Sequence, residues 1–193
     1  MNNHSDWCSE LLEGKTVNLR VMERDDVDFV VECRNDMDFW GEYAPLGEQI
    51  SKSEWMRYFD NPSNFSILTE WKTFIVQKRD GTKIGIINHH LNLPYKWMEI
   101  AYFFIPSERG KGYGTEAIQL MIDYLFLSSE LARIHAVVDV RNSASQRVIE
   151  KTGFQREGTM RKCLFNRGEW RDYYLYSILR EEWKEPKMLT KTT

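Results

Sequence analysis

Apolar residues along this chain change period several times, and each change predicts an element. Thr16-Val17-Asn18-Leu19-Arg20-Val21-Met22 alternates with period two and predicts a first strand, while Val27, Val30 and Val31 recur at helical spacing and predict a helix from about Asp25 to Asn35. Ser51 with Glu54 three residues later is a capping-box pattern ahead of Trp55, Met56 and Phe59, so a second helix is expected to begin there. Between these helices, the aromatic-rich run from Asp38 to Leu46 reads as a loop. Thr73 to Gln77 and Lys83 to His90 flank Arg79-Asp80-Gly81, which predicts a hairpin. Trp97 to Ile105 is β-branched and aromatic, and Pro106 removes a ladder donor and ends it.

The second half continues the alternation of types. Ala117, Leu120, Met121, Tyr124 and Leu125 give one apolar face to a helix from about Gly114 to Leu127. Ile134, Ala136, Val138 and Val140 alternate with His135, Asp139 and Arg141 as another strand. Asn142 suits the N-cap of a helix ending near Thr152, with Gly153 as its left-handed stop. Gln155 to Phe165 and Glu169 to Leu179, joined by Asn166-Arg167-Gly168, predict a terminal hairpin. There is no internal repeat and no linker long enough to divide the chain, so residues 1–193 read as a single α/β domain. The tail after Trp183 reads as frayed, and segments 1–11 and 185–193 as flexible ends.

Composition narrows the class. A net charge of −3 over 193 residues gives no general attraction to nucleic acid. Cys8, Cys33 and Cys163 are odd in number and lack metal-ligand spacing, which predicts reduced thiols in a cytoplasmic protein. The N-terminus has no basic-then-apolar signal pattern and no apolar run reaches membrane-spanning length, so no membrane partner is expected. His89 and His90 are adjacent and face opposite sides of a strand, so they make no two-ligand metal face.

The chemistry concentrates in Arg109-Gly110-Lys111-Gly112-Tyr113-Gly114-Thr115, between a strand and a helix. A helix that begins among glycines offers unpaired amides and the positive end of its dipole to a phosphate. Lys111 is followed by Gly112 where a Walker loop needs Ser or Thr, and Thr115 stands where a Rossmann fingerprint needs its last glycine. Arg109, Gly112 and Gly114 instead form an Arg-x-x-Gly-x-Gly pattern that resembles the acetyl-CoA pyrophosphate loop of the GCN5-related N-acetyltransferases (GNAT). The resemblance continues through Asn142-Ser143-Ala144-Ser145, Lys151-Thr152-Gly153-Phe154 and Glu157-Gly158. It covers Leu19 to about Trp183 and looks closest to the branch containing ribosomal-protein and polyamine acetyltransferases.

The resemblance implies an acyl-CoA N-acyltransferase fold: a mixed, splayed central sheet of about six or seven strands flanked by about four helices. It implies acetyl-CoA as cosubstrate and no metal. The strands before the glycine loop and after its helix would be parallel and splay apart, letting the Phe103, Phe104 and Ile105 edge pair with pantetheine amides. Cofactor contacts are expected from Arg109, Gly110, Lys111, Gly112, Tyr113, Gly114, Thr115, Asn142 and Ser145.

Direct transfer to an amine requires a neutral nucleophile, whereas a free alkyl amine with a pKa of about 10.4 is mostly protonated at neutral pH. A base must take the proton and the leaving thiolate benefits from an acid. Glu99 is the first base candidate by resemblance; it reads alternatively as a solvated strand-edge carboxylate or a partner for Lys96. Asp139 is the second candidate. Many family members carry a tyrosine where this chain has Ile149. The ribosomal-protein branch places a serine at the position of Ser145, which inherits the acid role by resemblance; helix-start hydrogen bonding is the alternative. That branch's acidic residue on the following strand is matched by Leu164. Cys163 reads as core or hairpin filler.

The acceptor is expected to lie against Trp40, Glu42, Tyr43, Glu54 and Trp55, with Tyr58, Trp170 and Glu169 nearby; core packing and a solvated acidic rim are the alternatives, and aromatics also suit a homodimer interface. The acceptor classes are a protein or peptide N-terminus, a polyamine or other small amine, or, if catalysis has been lost, none, leaving a CoA-sensing module.

Overall fold

The computed structural model describes residues 11–45, 49–60, 71–92 and 97–188, without the side chains of Tyr58 and Trp71. Leu46, Lys96 and the ends 1–10 and 189–193 lie outside the described residues.

Strands β1 (Leu12–Glu13), β2 (Val17–Val21), β3 (Trp71–Lys78), β4 (Lys83–Asn92), β5 (Trp97–Phe104), β6 (Arg133–Asp139), β7 (Gln155–Asn166) and β8 (Glu169–Leu179) form one sheet ordered β1-β2-β3-β4-β5-β6-β8-β7. The count of eight exceeds the expected six or seven because two residues, Leu12 and Glu13, add an edge strand to β2. Helices are α1 (Val27–Asn35), α2 (Met37–Trp40), α3 (Lys52–Asp60), α4 (Tyr113–Ser128) and α5 (Ser143–Lys151). The added helix, α2, overlaps the start of the stretch from Asp38 expected to be a loop. The Asp36 carboxylate accepts from the Asp38 amide at 2.8 Å and caps that single turn, which Gly41 closes at φ 69°.

Local signals explain most other boundaries. The Ser51 amide donates to Glu54 at 2.8 Å while the Glu54 amide donates back to Ser51 Oγ at 3.3 Å, the reciprocal capping box that starts α3. Arg167 and Gly168 both take positive φ, 50° and 86°, as a two-residue hairpin turn matched to strand twist requires.

Helices cover both faces of the sheet. Side chains alternate along β5, so Met98, Ile100, Tyr102 and Phe104 pack with α4 and α5, while Phe103 and Ile105 pack with α1 to α3. Helix α4 is buried almost all round, including Asp123, which is fully buried. Its second face is covered by the chain's C-terminal segment: Asp123 accepts from Trp183 Nε1 at 2.8 Å and from the Lys187 and Met188 amides at 2.9 and 2.7 Å. The stretch to Met188, expected to fray, is thereby pinned on the helix.

A second buried carboxylate, Asp26, joins α1 to the sheet. It accepts from Arg20 at 2.6 and 2.7 Å, from the Glu23 amide at 2.9 Å and from Lys83 at 2.6 Å. Burial alone would raise its pKa, but these donors outweigh it and hold the group at about 2.

Candidate active site

Every neighbouring pair in the sheet is antiparallel except β5 and β6, and that pair is joined over only two registers, Met98 with Ile134 and Glu99 with His135. Beyond Glu99 the strands part, although β5 stays paired with β4 through Phe104 and β6 with β8 through Asp139. The fork opens a cleft of about 900 Å³ running from the glycine loop and α5 to α2 and the terminal hairpin.

At the cofactor end, Gly110 and Gly112 adopt φ of 75° and 90°, and Gly112 is the N-cap of α4. The first helical donors are the Thr115 and Glu116 amides, both bonded to Gly112 O, which leaves the Gly112, Tyr113 and Gly114 amides ahead of the intrahelical ladder. A Cβ at Gly110 or Gly112 would meet nothing within 4 Å, so the loop is open to a ligand. Gly110, Gly112, Tyr113, Gly114 and Thr115 all line the cleft. Unpaired amides, a helix N-terminus and open space fit a diphosphate.

The two basic side chains of this loop are committed elsewhere. Arg109 donates to the carbonyls of Phe104 at 3.0 Å and of Asp38 and Phe39 at 2.7 Å each, tying the cofactor loop to α2. Its partial burial lowers its pKa. Lys111 donates to Glu108 at 3.0 Å, and Glu108 also accepts from Lys78 at 2.7 Å. The donors that the loop leaves open at the cleft therefore include its backbone amides.

Along the β5 edge, the Ile105 amide donates to Ile84 O on the β4 side at 3.0 Å. Alternation turns Phe104 to the fork, where its carbonyl holds Arg109. The Phe103 carbonyl lies against Gly85 of β4 instead.

Glu99 sits at the fork's origin and lines the cleft. Burial pushes its carboxyl pKa up, opposed by a hydrogen bond from Asn92 and by nearby His90. Asp139 is buried in an ion pair with Arg141, whose backbone and guanidinium nitrogens reach it at 2.9 to 3.1 Å. Ser145 lies in the first turn of α5, its amide donating to Asn142 Oδ1 at 3.0 Å as the capping expectation requires. Its hydroxyl, however, pairs with the Tyr102 phenol at 2.8 Å. Sequence reasoning passed over Tyr102. The signal was present: alternation puts it on the face that α4 and α5 cover, and a buried phenol needs a partner. Ile149 is fully buried in the core.

At the end of the cleft toward α2 and the terminal hairpin, where the acceptor is expected, Phe39, Trp40, Glu42, Tyr43, Phe103, Leu164 and Tyr173 form the lining. Trp40 meets Phe103 edge-on with centroids 4.8 Å apart, and the Tyr173 hydroxyl donates to Tyr43 O at 3.2 Å. Glu54 and Trp55, expected here, are outside the lining: Glu54 is spent on the capping box, and Trp55, 7% exposed, packs into the core with α1. Trp170 is exposed and stacks edge-on against Phe165 on the hairpin. Glu169 pairs with Arg171. Among the described residues no group of His, Cys, Asp or Glu gathers to hold a metal, and no helix is long and apolar enough to cross a membrane.

Known proteins share this arrangement. The family described as "Acetyltransferase (GNAT) domain" matches residues 16–155. The N-acetyltransferase YnaD of Bacillus subtilis is 44% identical over 85 residues, covering 44% of this chain and 50% of that protein. The structure of an acetyltransferase (GNAT family) from Bacillus anthracis has a TM-score of 0.73 at 31% identity and covers 89% of this chain and 99% of its own. Spermidine N-acetyltransferase from Vibrio cholerae, solved with CoA and spermine, has a TM-score of 0.73 at 25% identity, covering 88% and 98%. The glycine loop, the parted parallel strands and these matches make the chain a member of the GNAT acetyltransferase family.

Proposed function

We propose that this acetyltransferase moves the acetyl group of acetyl-CoA directly to the N-terminal amine of a protein or peptide. The observation that carries this reading is the acceptor end of the cleft. It is walled by Trp40, Tyr43, Phe103 and Tyr173, while Asp139, among the carboxylates that line the cleft, is already neutralised by Arg141. A polycation gains most from several unpaired carboxylates, whereas a peptide end brings one charge plus apolar and backbone surface. The acetyl-CoA diphosphate would sit on the amides of Gly112 to Gly114. Glu99 would take the amine proton, directly or through one water, and Ser145 would face the departing sulfur. Ternary transfer of this kind needs no cysteine nucleophile, and burial raises the Cys163 thiol pKa, away from thiolate character.

A polyamine is the second reading, favoured by the spermine-bound relative and by Glu42 and Glu99 both lining the cleft. Competition between short peptides and spermidine for limiting enzyme separates the two. The first reading expects the larger kcat/KM for peptides with little effect of salt. A spermidine preference that falls steeply with salt supports the second.

A further inference from the structure

We propose that Tyr102 is a positioning residue for acyl transfer, holding the Ser145 hydroxyl so that its hydrogen faces the departing CoA sulfur. The inference rests on the reading that this cleft transfers acetyl groups, and it assigns a role to a side chain that the motif comparison leaves unused.

Both residues line the cleft, and their oxygens are 2.8 Å apart. Tyr102 stands three residues beyond Glu99, past the last β5–β6 pairing, so its ring lies where the fork is open. A Cβ at Gly114 would stand at ordinary contact distance, 3.5 Å from the Phe104 ring and 3.7 Å from the Tyr102 ring, so the first turn of α4 packs directly on both. On the other side, the Ser145 amide is fixed to Asn142 Oδ1 at 3.0 Å. Ser145 is thus held from its backbone by the helix cap and from its oxygen by the phenol. Ile149, one turn further along α5, lines the cleft with an alkyl side chain that has no hydrogen-bond donor for the sulfur.

The direction of the hydroxyl bond follows from acidity. A phenol is a stronger donor than an alkyl hydroxyl, and burial pushes the Tyr102 pKa up to about 12, so the ring keeps its proton at neutral pH. With the phenol as donor of this pair, Ser145 Oγ accepts and the Ser145 hydrogen is left for the cleft. In the transfer step the amine nitrogen forms the new C–N bond and one of its protons passes to Glu99. The C–S bond breaks with its electron pair on sulfur, and the thiolate is stabilised by the Ser145 O–H until it leaves and is protonated by solvent. Neither hydroxyl changes its proton count.

A double-mutant cycle tests this. Wild type, Y102F, S145A and the double variant are assayed for acetyl-CoA turnover with a peptide acceptor, together with acetyl-CoA Kd, Tm and the pH profile of kcat. The expected result is a fall in kcat of about tenfold for Y102F and about a hundredfold for S145A, with the double variant no slower than S145A. Kd and the pH of the acidic limb should stay unchanged. Independent, multiplying losses, or a Y102F defect confined to Kd or Tm, would overturn the proposal. Should Y102F not fold, wild type and S145A carrying 3-fluorotyrosine give a second measure: the 19F resonance of Tyr102 must move on S145A, and an unmoved resonance refutes the pairing. Absence of turnover in wild type with every amine would remove the acetyl-transfer reading itself, and this role with it.

Discussion

Arg109 Nη2 donates to the main-chain carbonyl of Phe39 at 2.7 Å, which joins the glycine loop to the helical turn that carries Trp40. With its bonds to Asp38 and Phe104, the guanidinium spends its Nε and Nη2 donors on carbonyls. Arg109→Met should therefore lower Tm and raise the acceptor KM, while acetyl-CoA Kd changes by less than about threefold. Titration calorimetry beside acceptor kinetics checks this. A rise in acetyl-CoA Kd of more than about tenfold with a weaker salt dependence would put the side chain on phosphate instead.

Backbone amides should then carry most of the cofactor affinity. Acetyl-CoA at a hundred times its Kd should stabilise the native state by about 2.7 kcal/mol, read as a higher Tm. Gly112→Val should abolish most of that rise, because the residue sits at φ 90° and faces open space that a phosphate would fill. An unchanged Tm response in folded Gly112→Val protein contradicts the assignment.

How much of this was legible in advance differs by element. The strand before Pro106, the Ser51 capping box and the hairpin turn, expected at Asn166-Arg167-Gly168 and formed by Arg167-Gly168, were readable because each depends on residues within a few positions of one another. The helix at Met37–Trp40 was missed: its cap is Asp36, two residues upstream of the run from Asp38 to Leu46, which carries no helical period. The direction of Arg109 and the withdrawal of Glu54 and Trp55 from the acceptor site depend on partners that only the tertiary structure brings close. Tyr102 and Ser145 are 43 residues apart in the chain, beyond the reach of local pattern.

Glu99→Gln should reduce kcat by about a hundredfold at neutral pH with acetyl-CoA affinity intact, and the deficit should shrink at high pH where more amine is already neutral. Stability gives an independent sign. A carboxyl whose folded pKa is raised costs stability as pH climbs through that value, so Glu99→Gln should be more stable than wild type at neutral pH and equal to it below the usual glutamate range. Denaturant melts across pH check the sign; wild-type turnover in this variant would reject Glu99 as the base.

Acid sensitivity should originate partly at Asp26. Its folded pKa of about 2 lies below the usual 3.8, so its contribution, on the order of 2 kcal/mol, is present above pH 4 and lost as pH falls through the folded value. Asp26→Asn should be destabilised by at least this amount at pH 7, since Arg20 and Lys83 lose their partner, and the gap to wild type should narrow in strong acid. A constant gap from pH 7 to pH 2, followed by urea unfolding, would be inconsistent with a depressed carboxyl.

On the acceptor side, Trp40→Ala and Tyr43→Ala should raise the peptide KM more than Glu42→Gln does, each with little effect on acetyl-CoA affinity, because the wall of the chamber is aromatic. Initial rates with a short peptide and with spermidine provide the comparison. A larger effect of Glu42→Gln, seen mainly with spermidine, favours the polyamine reading.

The most direct test is a two-substrate initial-rate study of the wild-type protein, with acetyl-CoA and a short peptide both varied, CoA thiol release followed continuously and the peptide product identified by mass spectrometry. Direct transfer at the fork predicts intersecting double-reciprocal lines and one N-terminally acetylated peptide per CoA released. Binding of acetyl-CoA without acetylation of any peptide or small amine would contradict it and leave a CoA-sensing module in its place.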